Sequence, residues 1–432
     1  MFCMRLFSGI TPSVLMILMI SSCSDHDERR ETQEGVLKPT PAVTTIPIPT
    51  GPPVVRVRLQ RVTGDLEPVH FARSGELVLI EDGSGDHIDV RGPLTIRRDR
   101  QGWIIRGSDS RSISRKLEGA PWLELSTDGE IEIHDDSGKP RRYSGRIRCI
   151  HIPEGKEPTW EVVEHVGIEK YLPGVLAGEL YGHWGLQCQA AQAIAARSFA
   201  CMQIAFRKRR NWDVIDTAGS QAYVGSVSDK RLEKACSMTS GMVLTWGSEL
   251  VPGYFSSCCG GRAATATEAI GPNPINSLKP LQGHSGTGYC QDAPLFKWER
   301  ECDPDALGTA IRSSTRRISG ASRIGRVARI EITETNQHGR GVGLRITDTR
   351  GNHVQIESSE LALLSSNLPG GRLYSGWVEG RLENGVLNLS GHGYGHGAGL
   401  CQYGCAAMDK QGKSFWQMIE YYYPDAEVKK AW

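Results

Sequence analysis

Hydrophobic and polar positions alternate in short runs over much of this chain. Val54 to Val62, Glu76 to Glu81, His87 to Val90, Trp103 to Arg106, Trp122 to Leu125 and Glu130 to His134 are rich in Val and Ile and separated by Gly, Asp and Ser. That pattern predicts strands joined by turns, in a β-rich region reaching about Val163. The pattern then changes. From Leu186 a run of Ala, Gln and Leu has few β-branched residues and no Gly or Pro before Arg209, which predicts a helix inside a helical region from Glu169 to Arg210. A second set of short strands is predicted at Arg326 to Thr333, Gly343 to Thr347, Val354 to Glu357, Tyr374 to Val378 and Val386 to Leu389. Helices follow from Leu400 to Lys410 and from Phe415 to Tyr423. No period of fixed length recurs, which argues against a solenoid. The expected fold class is α+β, with β-rich parts at 54–165 and 301–432 on either side of a helical and mixed core at 166–300.

The N-terminus gives an address. Ser13 to Ile20 (SVLMILMI) is an apolar core too short to span a bilayer as a mature helix. It predicts a signal peptide over residues 1–22. Ile20-Ser21-Ser22-Cys23 resembles the bacterial lipobox, which implies lipid attachment at Cys23 and an exported, membrane-anchored protein facing the periplasm or cell envelope. Residues 23–53 are polar, then Thr/Pro-rich, and are expected to form a disordered tether.

Charge narrows the function classes. There are 50 basic and 49 acidic residues, a net charge of +1, so no global field attracts nucleic acid. The one dense basic run, Arg207 to Arg210, lacks interleaved aromatics and closes the predicted helix, where it complements the helix dipole. No nucleic-acid partner is expected.

Glu179 is the candidate acid. It sits between a Gly-containing turn and the Ala-rich helix, with Tyr181, His183 and Trp184 supplying a partly apolar wall able to raise a carboxyl pKa toward neutrality. The bland alternative is that Glu179 complements the positive end of that helix. Of twelve cysteines, Cys3 leaves with the leader and Cys23 carries lipid, so ten remain. An even number in an oxidising compartment predicts bridges, though spacing leaves the pairing open. His392, His396, Cys401 and Cys405 spell H-x3-H-x4-C-x3-C, but alternating glycines hold the histidines on a loop and the spacing fits no common structural zinc site. No metal or cofactor is expected. The Gly-rich segment Gly391 to Gly404 (GHGYGHGAGLCQYG) lacks the Lys-Ser/Thr of a phosphate loop, so a sugar-binding loop suits the compartment better. A tight turn packed under the last helix is the structural alternative.

These residues carry a resemblance. AGEL with AAQAIAARSFA, then DTAGSQAY (Asp216 to Tyr223), GYFSSCCGGR (Gly253 to Arg262), GHGYGHGAGLCQYG and YYYPDA (Tyr421 to Ala426) occur in the order seen in the stage II sporulation protein D family. Members of that family are lytic transglycosylases of peptidoglycan, and relatives are described as amidase enhancers. The resemblance spans roughly Val54 to Trp432. It implies lobes around a glycan groove, with Glu179 as catalytic acid. Arg197, Gln221, Tyr223, Tyr254, Ser256, Ser257, His396 and Gln402 fall on motif positions and are implied to contact the strand. It also implies peptidoglycan glycan strands as partner, with a cell-wall amidase as a second. There are departures. Many members have Lys where this chain has Ala190, which implies a lost cationic contact. Some bind zinc through a His-Cys where Gly219-Ser220 stand here, so that site is implied to be absent. Cys259 and Cys290 resemble a disulfide pair of a family subset.

Glycoside hydrolases place two carboxylates about 5 to 9 Å apart. Only Glu179 stands out here. One acid suffices if the nucleophile is the sugar's own C6 hydroxyl, because intramolecular attack gains effective molarity. The expected product is a 1,6-anhydro-muramyl end. A hydrolase using Asp213 or Asp216 as second carboxylate, and a groove that binds without turnover, are the other classes.

Overall fold

The alternation in the first third of the chain builds two antiparallel sheets. In this computed structural model the described residues are 45–63, 69–71, 77–83, 87–107, 115–134, 140–153, 157–286, 288–314, 318–369 and 371–432. The expected signal peptide, the lipidation site Cys23 and most of the tether lie outside them. What is described is mixed α+β with more strand than helix.

The first sheet orders its main strands Val54–Thr63, Thr159–Gly167, Arg146–Ile152, Trp122–Ser126, Leu77–Asp82 and His87–Arg91, with the short strand Val214–Ile215 added in parallel beside Val54–Thr63. The second orders Pro140–Tyr143, Ile131–His134, Val69–Phe71, Leu94–Arg98, Gly102–Gly107 and Arg115–Glu118. Trp103 and Trp160, both fully buried, meet edge to face at 5.4 Å. Several of these strands escape the alternation pattern because charged pairs replace apolar positions. On Arg146–Ile152, Arg148 reaches across to Glu124 at 2.6 Å and stacks over Trp122 at 4.3 Å.

The helices in chain order are α1 (Ile168–Glu179), α2 (Leu186–Phe206), α3 (Lys230–Met238), α4 (Ala266–Ile270), α5 (Pro304–Arg312), α6 (Ser358–Leu364), α7 (Gln402–Lys410) and α8 (Phe415–Tyr422). α2 is buried on every side from Cys188 to Ser198, as expected of a helix whose Ala-rich surface is apolar all round. It ends at Phe206 rather than Arg209. Arg56 takes the Arg207 and Arg210 carbonyls there and pairs with Asp213.

A second sheet system follows, ordered Lys297–Cys302, Val386–His392, Val378–Glu383, Val327–Thr335, Gly341–Asp348 and His353–Glu357. With α5 and α6 it encloses a separate hydrophobic cluster. The strand expected at Tyr374 to Val378 is not formed. Tyr374 instead packs against Trp298 and Tyr394, and pairing begins at Val378. After Leu400 the chain returns to the first core: Leu400–Cys401 pairs in parallel with Phe255–Ser256, and Glu427–Lys430 pairs with Met242–Trp246.

Residues 45–53 depart from the expected tether. Ile46 is buried and its carbonyl accepts the Leu250 N–H at 2.9 Å, because an apolar side chain among the prolines finds a place in the core.

One buried carboxyl gives the fold a pH dependence. Glu164 accepts the Gly145 N–H at 2.9 Å, and burial pushes its carboxyl up to about 7 from an ordinary 4.5. The stability of the neutral form is full below the unfolded value and lost as pH rises through the folded one. Glu164→Gln keeps an acceptor and removes the charge. It is expected to stabilise the protein at pH 8, by about 3 kcal/mol at most, and much less at pH 5. Equal changes at both pH values in calorimetry would contradict this.

Candidate active site

Gly174 and Gly178 lie four apart on one face of α1. A Cβ at Gly174 would meet the Gly225 carbonyl oxygen at 2.2 Å, and one at Gly178 the Ala222 oxygen at 2.5 Å. Without those side chains the 221–225 segment lies directly on the helix. That approach delivers the Ala222 N–H to Glu179 Oε1 at 2.7 Å. The other oxygen, Oε2, accepts the Gln402 side-chain amide at 3.2 Å from the first turn of α7. Gly178→Ala is therefore expected to cost about 1–3 kcal/mol through overpacking. Gly129→Ala, at an exposed glycine with open space around it, should leave the stability unchanged, by thermal melts.

Glu179 is the last residue of α1, not a residue ahead of α2. The bland alternative is thereby corrected: the positive end of α2 is served by Asp409 of α7, whose Oδ2 accepts the Cys188 N–H at 2.9 Å. Burial raises the Glu179 pKa, opposed by the Ala222 and Gln402 bonds. Its place at the negative end of α1 works in the same direction as burial.

The aromatic wall is larger than Tyr181, His183 and Trp184. Tyr403 packs edge-on to Trp184 at 5.1 Å, and its hydroxyl donates to Tyr181 at 3.4 Å. Tyr394, in the Gly-rich loop, exchanges both backbone hydrogen bonds with Cys258 and packs edge-on to Tyr374 at 5.6 Å. Neither tyrosine stood out from the sequence, although Tyr403 follows Gln402 directly and Tyr394 lies inside the Gly-rich loop.

The glycines of that loop are structural. Gly399 has φ +66°, and a Cβ there would lie 2.0 Å from the Tyr254 oxygen. The loop thus packs tightly against the 254–260 segment, and carries Tyr394 and His396. His396 Nδ1 accepts the Ala398 N–H at 3.1 Å, and burial lowers its pKa to about 4, so the ring is neutral. The Ser256 hydroxyl accepts the Gly397 N–H at 3.2 Å, the Ser257 carbonyl accepts the Tyr403 N–H at 3.1 Å, and Tyr254 donates to Asn276 Oδ1 at 2.9 Å.

Other expected contacts are placed in the core. Arg197 is fully buried and forks onto Glu169 at 3.0 and 2.8 Å, with a further bond to the Met242 carbonyl. Gln221 donates to the Ala196 carbonyl and accepts the Tyr171 hydroxyl at 3.1 Å. Tyr223 packs on Tyr171 at 4.8 Å. Ala190 is fully buried on α2. The other acids are engaged elsewhere: Asp213 with Arg56, and Asp216, pushed up to about 7 by burial, beside Arg141 at 3.4 Å.

The H-x3-H-x4-C-x3-C residues do not converge. His392 stacks on Trp377 at 4.5 Å, and Cys405 faces Met418. Cys259 and Cys290 do meet, as free thiols with their sulfurs 3.6 Å apart.

Residues 156–246 match the family model described as Stage II sporulation protein. Stage II sporulation protein D of Bacillus amyloliquefaciens is 24% identical over 292 residues, covering 62% of this chain and 76% of that protein. This chain carries a domain of the stage II sporulation protein D family. The SpoIID match covers α1, α2 and α3, and so includes Glu179. Residues 277–399, which hold the second sheet system, match a domain of unknown function, DUF8618. An uncharacterized protein of Brachyspira hyodysenteriae is 25% identical over 62% of this chain and 68% of its own length. The amidase enhancer of Bacillus subtilis is 24% identical over 59% of this chain, but the match spans only 39% of that protein.

Proposed function

We infer that this SpoIID protein works on the cell wall and cleaves peptidoglycan glycan strands as a lytic transglycosylase, with Glu179 as the single acid and base. The observation that carries this reading is the setting of Glu179: a carboxyl with raised pKa, fixed through both oxygens by the Ala222 amide and Gln402, beside the Tyr181, Trp184 and Tyr403 wall. In the first step the protonated carboxyl gives its proton to the glycosidic oxygen as the C1–O bond breaks. The carboxylate then takes the proton of the C6 hydroxyl as that oxygen bonds C1, closing the 1,6-anhydro ring and restoring the acid. The sugar supplies the nucleophile, so no second carboxylate is required. The engagement of Glu169 by Arg197 and of Asp213 by Arg56 supports a one-acid mechanism.

Gln402, Tyr403, Tyr394 and His396 are the contacts assigned to the strand. Arg197, Gln221 and Tyr223 act one layer behind, holding α1, α2 and the Ala222 segment in place. The buried position of Ala190 weakens the case for a groove without turnover, because a missing Lys there is not a missing surface contact. Export and lipid anchoring at Cys23 complete the reading and put the site on the wall side of a membrane. The amidase-enhancer relative supports association with a cell-wall amidase as part of this reading.

Mass spectrometry of purified glycan strands after incubation tests the reaction. Anhydro ends are expected. Reducing ends would mean a hydrolase, and unchanged strands a binding protein.

A further inference from the structure

Four cysteines from three distant segments meet behind Gln402. Cys258 and Cys259 follow the strand Phe255–Ser256, Cys290 precedes the strand Lys297–Cys302, and Cys401 is the residue just before α7. All four are buried. The sulfurs of Cys258, Cys290 and Cys401 lie within 4.8 Å of one another, and Cys259 Sγ is 3.6 Å from Cys290 Sγ. The Cys259 N–H also donates to Cys401 Sγ at 3.3 Å.

We propose that Cys258, Cys259, Cys290 and Cys401 bind one zinc ion as a structural tetrathiolate site. Zinc–sulfur bonds of about 2.3 Å in a tetrahedron set the sulfurs about 3.8 Å apart, close to the Cys259–Cys290 spacing. A disulfide would draw two sulfurs to about 2.0 Å and turn them from the others, whereas Cys258, Cys290 and Cys401 each have two sulfurs within 4.8 Å and Cys259 adds a fourth beside Cys290. Thiolate ligands favour zinc over the hard cations.

A second observation concerns charge. Arg340 is almost fully buried, and among the described residues its guanidinium pairs with no carboxylate. It donates to the Cys259 and Arg262 carbonyls at 2.7 and 3.2 Å and stands over Trp377 at 5.2 Å. A buried cation needs a compensating charge. Four thiolates around Zn2+ carry a net charge of −2; burial disfavours the charged Arg340, and Cys259, Cys258, Glu268 and Cys290 are the groups that favour it. On binding, the four thiols release four protons to solvent and no electron moves.

The site has a mechanical consequence. It ties together the 258–259 segment, whose Cys258 exchanges both backbone hydrogen bonds with Tyr394, the Cys290 loop and the start of α7. Cys401 is covalently joined to Gln402, so the metal fixes one of the two groups that hold Glu179. The inference does not depend on what Glu179 acts upon.

The test is metal analysis of the full chain purified without chelator. One zinc per chain is expected, with sulfur neighbours at about 2.3 Å by X-ray absorption, and with loss of the metal in Cys258→Ala and Cys401→Ala but not in Cys302→Ala. Should the cluster variants fail to fold, cobalt replacement in the unaltered protein must give the sulfur-to-cobalt charge-transfer bands of a tetrahedral thiolate site. A metal-free protein whose intact mass shows two disulfides among these residues would overturn the proposal. So would four free thiols that take up neither zinc nor cobalt.

Discussion

Glu179→Gln is expected to reduce glycan-strand cleavage by about 10²–10⁴-fold or more, the range ascribed to a positioned general acid, with a thermal midpoint at or above that of the unaltered protein. The amide is close in shape to the carboxyl and its oxygen can still accept the Ala222 N–H. It removes a charge whose burial is unfavourable, so the fold has no reason to weaken. Product analysis by mass spectrometry is the readout, and retained anhydro-end formation would sink the assignment.

The pH profile gives an independent check. The reaction needs the protonated carboxyl, so kcat/KM falls as pH rises through the Glu179 pKa. Gln402→Ala removes a donor that favours the charged form. The pKa then rises further, and the alkaline limb moves to higher pH. A limb that stays in place, or moves down, would show that another group sets it.

Arg197→Met should have the largest effect on stability. The substitution leaves Glu169 without its guanidinium and strips a donor from the Met242 carbonyl; breaking a fully buried pair costs about 3–5 kcal/mol, and the 29% exposure of the Glu169 side chain puts this loss below that range. Glu169 keeps the Gly241 N–H at 3.1 Å and the Trp432 indole N–H at 3.2 Å, which softens but does not cancel the loss. Arg197→Lys restores the charge but not the fork, so it recovers only part of the stability. Denaturant melts measure this directly. If Arg197 instead contacted the glycan, melts would be unchanged and KM would rise.

Much of the strand and helix pattern was legible because burial follows period. The Val54 to Val62 and Val386 to Leu389 runs became strands, and the Ala-rich run became α2 within a few residues of its expected end. What escaped was carried by long-range pairing. Arg146–Ile152 reads as charged until Glu124 and Trp122 are placed beside it. Ordered motifs gave Glu179 and Gln402, and these do touch. Motif membership alone could not separate residues that face the site from those beneath it, so Arg197, Gln221 and Tyr223 were expected at the surface of a groove. Only packing distinguishes the two. Asp409 had no signal at all, since a cap supplied by another helix leaves no mark near the helix it caps.

The bond from Gln402 to Glu179 spans 223 residues, and the whole second sheet system lies between its ends. Contacts of such separation form late, after the intervening chain has been ordered at its own entropic cost. A chain interrupted before Gln402 lacks α7, and with it both the Gln402 bond to Glu179 and the Asp409 cap of α2. On the proposed reading, completion of synthesis thus acts as a timing device: the setting of Glu179 is finished only when α7 arrives.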